Sequence, residues 1–113
     1  MKAIYHFVEN EYFRHFKDKT QYFSPDFFNE GFIHCTGEPN VVISICNNIN
    51  RNSPHDFVLL KIDENKVKAP VIYEKNPGSH IEFPHIYGFI NKDAIVDIKT
   101  MQRTSSGDFL FPF

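Results

Sequence analysis

The 113-residue chain is 42% hydrophobic and 16% aromatic, enough to close one core but not two, so a single compact domain spanning residues 1–113 is expected. A formal charge of -2 and a pI near 6.3, with Lys and Arg scattered along the chain, exclude the basic excess that general nucleic-acid binding needs. No apolar run approaches the ~20 residues of a membrane span, and no apolar stretch with a cleavage site follows Met1 and Lys2, so a cytoplasmic protein without a membrane partner is expected.

Residues 2–8 are apolar on both alternating faces, Ile4 and Val8 beside His6 and Tyr5 with Phe7 opposite, which predicts a strand buried from both sides and central in its sheet. Asn10 then caps a short amphipathic helix carrying Tyr12, Phe13 and Phe16. Residues 18–30 show neither period and read as an ordered loop. A second strand, 31–36, passes through Gly37-Glu38-Pro39 into a helix whose Val41, Val42, Ile45, Cys46 and Ile49 recur at helical spacing. Asn52-Ser53-Pro54-His55 breaks that helix, and strands follow at 57–62, 70–73, 83–90 and 94–100 between turn-rich segments. The tail, 104–113, ends in Phe-Leu-Phe-Pro-Phe and must either pack on the domain or meet another chain. The pattern is β-α-β-α followed by four strands. It predicts an α+β domain with two early helices packed on a mainly antiparallel sheet of about six strands.

Six histidines in so short a chain are unequal. His15, on a polar helix face, and His55, in a turn, read as solvated surface residues. His6, His34 and His85 sit among Ile, Phe, Val and Tyr, and an imidazole buried there without a partner costs a few kcal/mol, so each is either hydrogen-bonded or faces a cavity. On the second strand His34 and Thr36 point together while Cys35 points into the opposite core, so Cys35 is not a nucleophile served by His34. His85 and Tyr87 likewise share a face, next to Pro84, which removes a ladder donor and places its strand at an edge or its start there. Glu74 and Glu82 are strand-end carboxylates, with solvated and functional readings both open. The two cysteines, Cys35 and Cys46, are expected to be reduced and buried. Histidines and a carboxylate from separate strands would also satisfy a metal, although no H-x-H, H-E-x-x-H or C-x-x-C spacing is present.

The segments Ile4-Tyr5-His6, Glu30-Gly31-Phe32-Ile33-His34-Cys35-Thr36, Val58 to Asp63, Tyr73-Glu74 and Phe83-Pro84-His85-Ile86-Tyr87-Gly88 together resemble domain-of-unknown-function family 952, a set of small bacterial and plant proteins. That family is distantly similar to the ADP-ribosyltransferase fold, which implies a strongly bent sheet and NAD as a cofactor or substrate. The resemblance implies His6 as the ribose contact and Thr36, beside His34, as the second-strand hydroxyl. It leaves Glu74, Glu82 or the His85 and Tyr87 face for the third position. The candidate catalytic residues are therefore His6, His34, Thr36, Glu74 and His85, and the candidate cofactor contacts His6, His34 and Tyr87. Three readings stay open: an NAD- or ADP-ribose-utilising enzyme with a His-lined pocket, a non-catalytic nucleotide-binding or protein-interaction module, and a His-based metal site. No resident metal is assigned, and oligomeric state is not specified by these residues.

Overall fold

Ile4, His6 and Val8 alternate with Tyr5 and Phe7 because the strand β1 (Ala3–Glu9) meets apolar side chains on both faces. The computed structural model describes all residues from Met1 to Phe113. Three helices, α1 (Asn10–Arg14), α2 (Phe27–Glu30) and α3 (Pro39–Asn50), join eight strands: β1, β2 (Gln21–Tyr22), β3 (Ile33–His34), β4 (Phe57–Asp63), β5 (Val71–Lys75), β6 (Glu82–Ile86), β7 (Ile90–Asn91) and β8 (Ile95–Thr100). The strands form three antiparallel sheets, β1-β4-β8, β2-β7 and β3-β6-β5. The α+β class is as expected, but the sheet is divided and has eight strands in place of about six.

The differences have local causes. The supposed loop 18–30 contains β2 and α2, each too short to show a period. β1 is an edge of its sheet, with β4 at the centre. Its two buried faces come from two core clusters, Ile4 and Val8 with Tyr22, Ile33, Leu60 and Ile62 on one side, and Tyr5 with Val42, Cys46, Phe57, Leu59 and Phe109 on the other. Pro84 lies inside the central strand β6, not at an edge. Its carbonyl accepts from Cys35 N at 3.1 Å, but its ring has no N–H to return, so β3 stops at His34. The expected strand 83–90 is likewise divided. At Gly88 a Cβ would come within 2.8 Å of the Ala69 side chain, so the chain can pass there only as glycine.

Glu9, not Asn10, occupies the N-cap position of α1 and makes no side-chain cap. α3 starts with Pro39 in its first turn as expected and buries Val42 and Cys46, but Ile49 is 71% exposed. Cys35 and Cys46 are free and buried in different clusters, and burial pushes both thiols up, Cys46 to about 12. No helix is long and apolar enough to cross a membrane.

The tail packs on its own domain. Phe109 is 2% exposed, its N–H donates to Asn47 Oδ1 at 2.7 Å, and the Arg103 guanidinium covers its ring while donating to the Ser53 and His55 carbonyls at 2.7 Å. Phe111 and Phe113 rest on Tyr5. Phe109→Ala should therefore lower unfolding free energy by about 3 kcal/mol or more in urea titrations. Leu110→Ala, at a position 47% exposed, should change it by no more than about 0.5 kcal/mol.

Candidate functional site

β1 and the chain just past β3 touch at one rung only: Tyr5 N donates to Thr36 O and Thr36 N to Tyr5 O, both at 2.8 Å. An antiparallel ladder would continue by joining Phe7 to His34, but the strands part and belong to different sheets. The His6 side chain spans the gap. Its Nδ1–H donates to the His34 carbonyl at 2.7 Å, and its Nε2 accepts from the Tyr22 hydroxyl at 2.7 Å. A carbonyl can only accept, so this tautomer follows from the partners. Desolvation holds His6 down to about 4, and burial pushes the Tyr22 hydroxyl up, so the proton stays on the phenol and the ring stays neutral. Both ring nitrogens are spent, which leaves none for the ribose contact expected of His6.

Where the strands part, a cleft of about 650 Å³ opens between the first sheet, α3 and the segment before α2. Tyr5, Phe7, Phe57 and Phe83 give it aromatic walls, and Ser24, Asp26, His34 and Thr36 are among its polar lining. Its lining includes the carboxylates of Glu9 and Asp26 but no Lys or Arg. Ser24 is 3% exposed, and its Oγ has no hydrogen-bond partner.

The remaining candidates form a second cluster on one face of the β3-β6-β5 sheet. His34 lies directly across from His85, their rings edge to face with centroids 5.1 Å apart. Phe32 stacks on His85 at 4.1 Å and abuts His34 and Tyr87. His85 Nδ1–H donates to Glu74 Oε1 at 2.9 Å, and the Tyr87 hydroxyl donates to the same oxygen. These two donors, Tyr87 first, hold the Glu74 carboxyl below its usual range and keep it ionised, while Glu74 raises Tyr87. A carboxylate on one imidazole nitrogen fixes the tautomer and orients the other nitrogen, as in general-base pairs. Here that other atom, Nε2, is buried without a partner. Glu82 is apart, across from Lys75 at the outer end of β6.

His34 therefore stands between the two groups. It lines the cleft and also touches Phe32 and His85 of the second cluster; Thr36 and His6 line the cleft as well, His6 as a brace. Desolvation and the neighbouring His85 lower His34, against a smaller opposing pull from Asp26 and Glu30. The sequence reading missed Ser24, Asp26, Glu30 and Tyr22, all within the supposed loop. Asp26 and Glu30 carried a usable signal, since spacing i, i+4 puts two carboxylates on one side of a helical turn.

The profile of a family described as protein of unknown function (DUF952) matches residues 7–98. The chain belongs to that family. Among solved structures it is similar to protein CC0527 from Caulobacter crescentus, whose crystal structure superposes with TM-score 0.82 at 17% identity and covers 96% of this chain and 93% of that one. A double-mutant crystal form gives the same values. The solution structure of CC0527 gives TM-score 0.74 at 19% identity over 95% and 90% of the two chains. At this identity the likeness shows a shared fold. No curated protein matches the chain.

The His6 brace has a measurable pH signature. Its folded pKa, about 4, lies below the ordinary 6.5, so as pH falls the unfolded chain takes up the proton first. This stabilising contribution is complete above about pH 6.5 and is lost as pH drops toward 4, a difference of about 3 kcal/mol. In urea titrations at pH 7 and pH 4, wild type should lose about 3 kcal/mol more than His6→Gln. Tyr22→Phe leaves His6 Nε2 unpaired and should cost about 1–3 kcal/mol at pH 7.

Proposed function

We propose that this DUF952 protein binds a nucleotide of the NAD class, nicotinamide end first, in the cleft between β1 and β3. The observation that carries the reading is the chemistry of the lining: aromatic walls, two carboxylates and no lysine or arginine. The nicotinamide ring of oxidised NAD is flat and cationic, the kind of group that aromatic faces and nearby carboxylates attract. The volume is in the range of pockets that take small organic ligands. The resemblance to the ADP-ribosyltransferase fold points the same way.

In this reading His34 takes the ribose-contacting role that the resemblance gave to His6, because His6 is occupied on both nitrogens. Thr36 supplies a second hydroxyl-sized contact. Glu74, His85 and Tyr87 act through His34 as positioning residues, holding its ring from the far side. If the bound nucleotide is cleaved, the C1′–N bond breaks, nicotinamide leaves with the bonding electrons, and water adds at C1′ and releases a proton to solvent. Such a step needs a carboxylate near the oxocarbenium-like centre, and Asp26, in the cleft lining, is the candidate in place of Glu74.

Saturating NAD should raise the melting temperature by about 10 °C, as expected of about 3 kcal/mol of ligand stabilisation, and more than ADP-ribose does. His34→Ala should abolish the shift. Release of nicotinamide over hours would assign an enzyme, and a shift without release a binding protein. No shift with NAD, ADP-ribose or nicotinamide riboside would overturn the reading.

A further inference from the structure

We infer that β8 is a docking edge for a second copy of this chain, the two β8 strands pairing antiparallel about Ile98. β8 is the outer strand of the β1-β4-β8 sheet, and positions 96–100 are all exposed. Val96 and Ile98 leave apolar surface there, 39% and 44% exposed. Apart from the ladder with β4, no backbone hydrogen bond involves residues 96–100. An open strand edge of this kind is a template for another strand.

The phase of the ladder decides which groups the edge offers. Met101 N donates to Phe57 O, so Met101 turns its backbone polar groups toward β4, and alternation gives Lys99 and Asp97 the same direction. Ile98 and Thr100 therefore point their N–H and C=O away from the sheet. The Ile98 N–H agrees with this direction, since it donates to its neighbour's carboxylate, Asp97 Oδ1, at 2.8 Å.

Side-chain charge selects the occupant. In an antiparallel pair centred on Ile98, each Asp97 lies across from Lys99 of the second copy, and the two exposed Ile98 side chains meet. Lys61, Asp97 and Lys99 make no salt bridge within the fold. Lys61 lies across from Asp97 in the β4 ladder, so the row through the joined sheets reads Lys61, Asp97, then Lys99 of the second copy, alternating in sign. Centring the pair on Asp97 or on Lys99 instead sets like charges directly opposite, which is destabilising, so the charges specify one register. Charges on an edge ordinarily repel an added strand, but these are answered by the strand's own reverse. The Ile98 register also suits the backbone: the two Ile98 residues exchange N–H···O bonds, which releases each Asp97 carboxylate toward Lys99. β5, another exposed edge, lacks this symmetry, because reversed about Tyr73 it sets Ile72 against Glu74 and Val71 against Lys75. Val96 has no partner on β4, a bulge that keeps the contact short. The dimer is accordingly weak and concentration-dependent, at the low end of interface size. No β8 residue lines the cleft, so this inference is independent of the NAD reading.

The test is sedimentation equilibrium of the full chain at low salt, from micromolar to millimolar concentration. A reversible dimer is expected. Asp97→Lys and Lys99→Asp should each weaken it at least about tenfold, because every substitution enters twice across the two-fold axis. Combining Asp97→Lys with Lys99→Asp restores opposite charges and should return the dissociation constant to within about threefold of wild type. Ile98→Pro removes the outward N–H without taking a bond from the β4 ladder and should abolish the dimer. Melting curves of each variant as dilute monomer check that it is folded. A chain that stays monomeric at millimolar concentration overturns the proposal. So does a dimer that both charge reversals leave unchanged, or a double variant no tighter than the single ones.

Discussion

One neutral imidazole holds the three sheets of this fold in register. His6 belongs to β1, its phenol partner Tyr22 to β2, and the carbonyl it donates to belongs to His34 in β3. Between β1 and β3 the backbone supplies only the Tyr5–Thr36 rung, so the side chain does what the next ladder bond would have done. An apolar residue at position 6 would leave a part-buried carbonyl and a buried phenol unpaired, each a cost comparable to a lost hydrogen bond. The energetic weight of the ring comes from that satisfaction, and it explains why a histidine is tolerated among Ile4, Val8 and Leu60.

The same geometry makes the cleft. Strands that paired along their full length would close the space between β1 and β3, and Pro84, lacking an N–H, ends β3 where the parting begins. A brace that reaches across without filling the space keeps the gap open and still fixes the backbone of His34. The residue at the lip of the cleft is thus placed by main-chain anchoring, while its ring stays free of hydrogen bonds within the fold.

Around His34 the charge distribution is lopsided. Glu74 accepts from both Tyr87 and His85, and Phe32 stacks on the His85 ring. Asp26, in the cleft lining, and Glu30 beside it have no such partners. Two carboxylate environments flank one imidazole, one with its hydrogen bonds internal and one open to whatever enters, and that asymmetry is the reason to look for ligand chemistry on the cleft side.

Sequence alone settled the α+β class, the helix from Pro39, the β4, β5 and β8 segments, and that His6 and His85 needed partners, because hydrophobic period, proline chemistry and the cost of burying imidazole are local or composition-level properties; His34, expected among them, is exposed and has no ring hydrogen bond. The common face of His34 with Thr36, and of His85 with Tyr87, was legible for the same reason. Only the tertiary structure decided that His85 joins Glu74, that His6 is a brace and not a ligand contact, and that Asp26 and Glu30 come up beside His34 from a segment with no visible period. Strand alternation says which side chains share a face of one strand. Where separate sheets diverge depends on which backbone rungs are left unmade, and that is fixed by long-range packing.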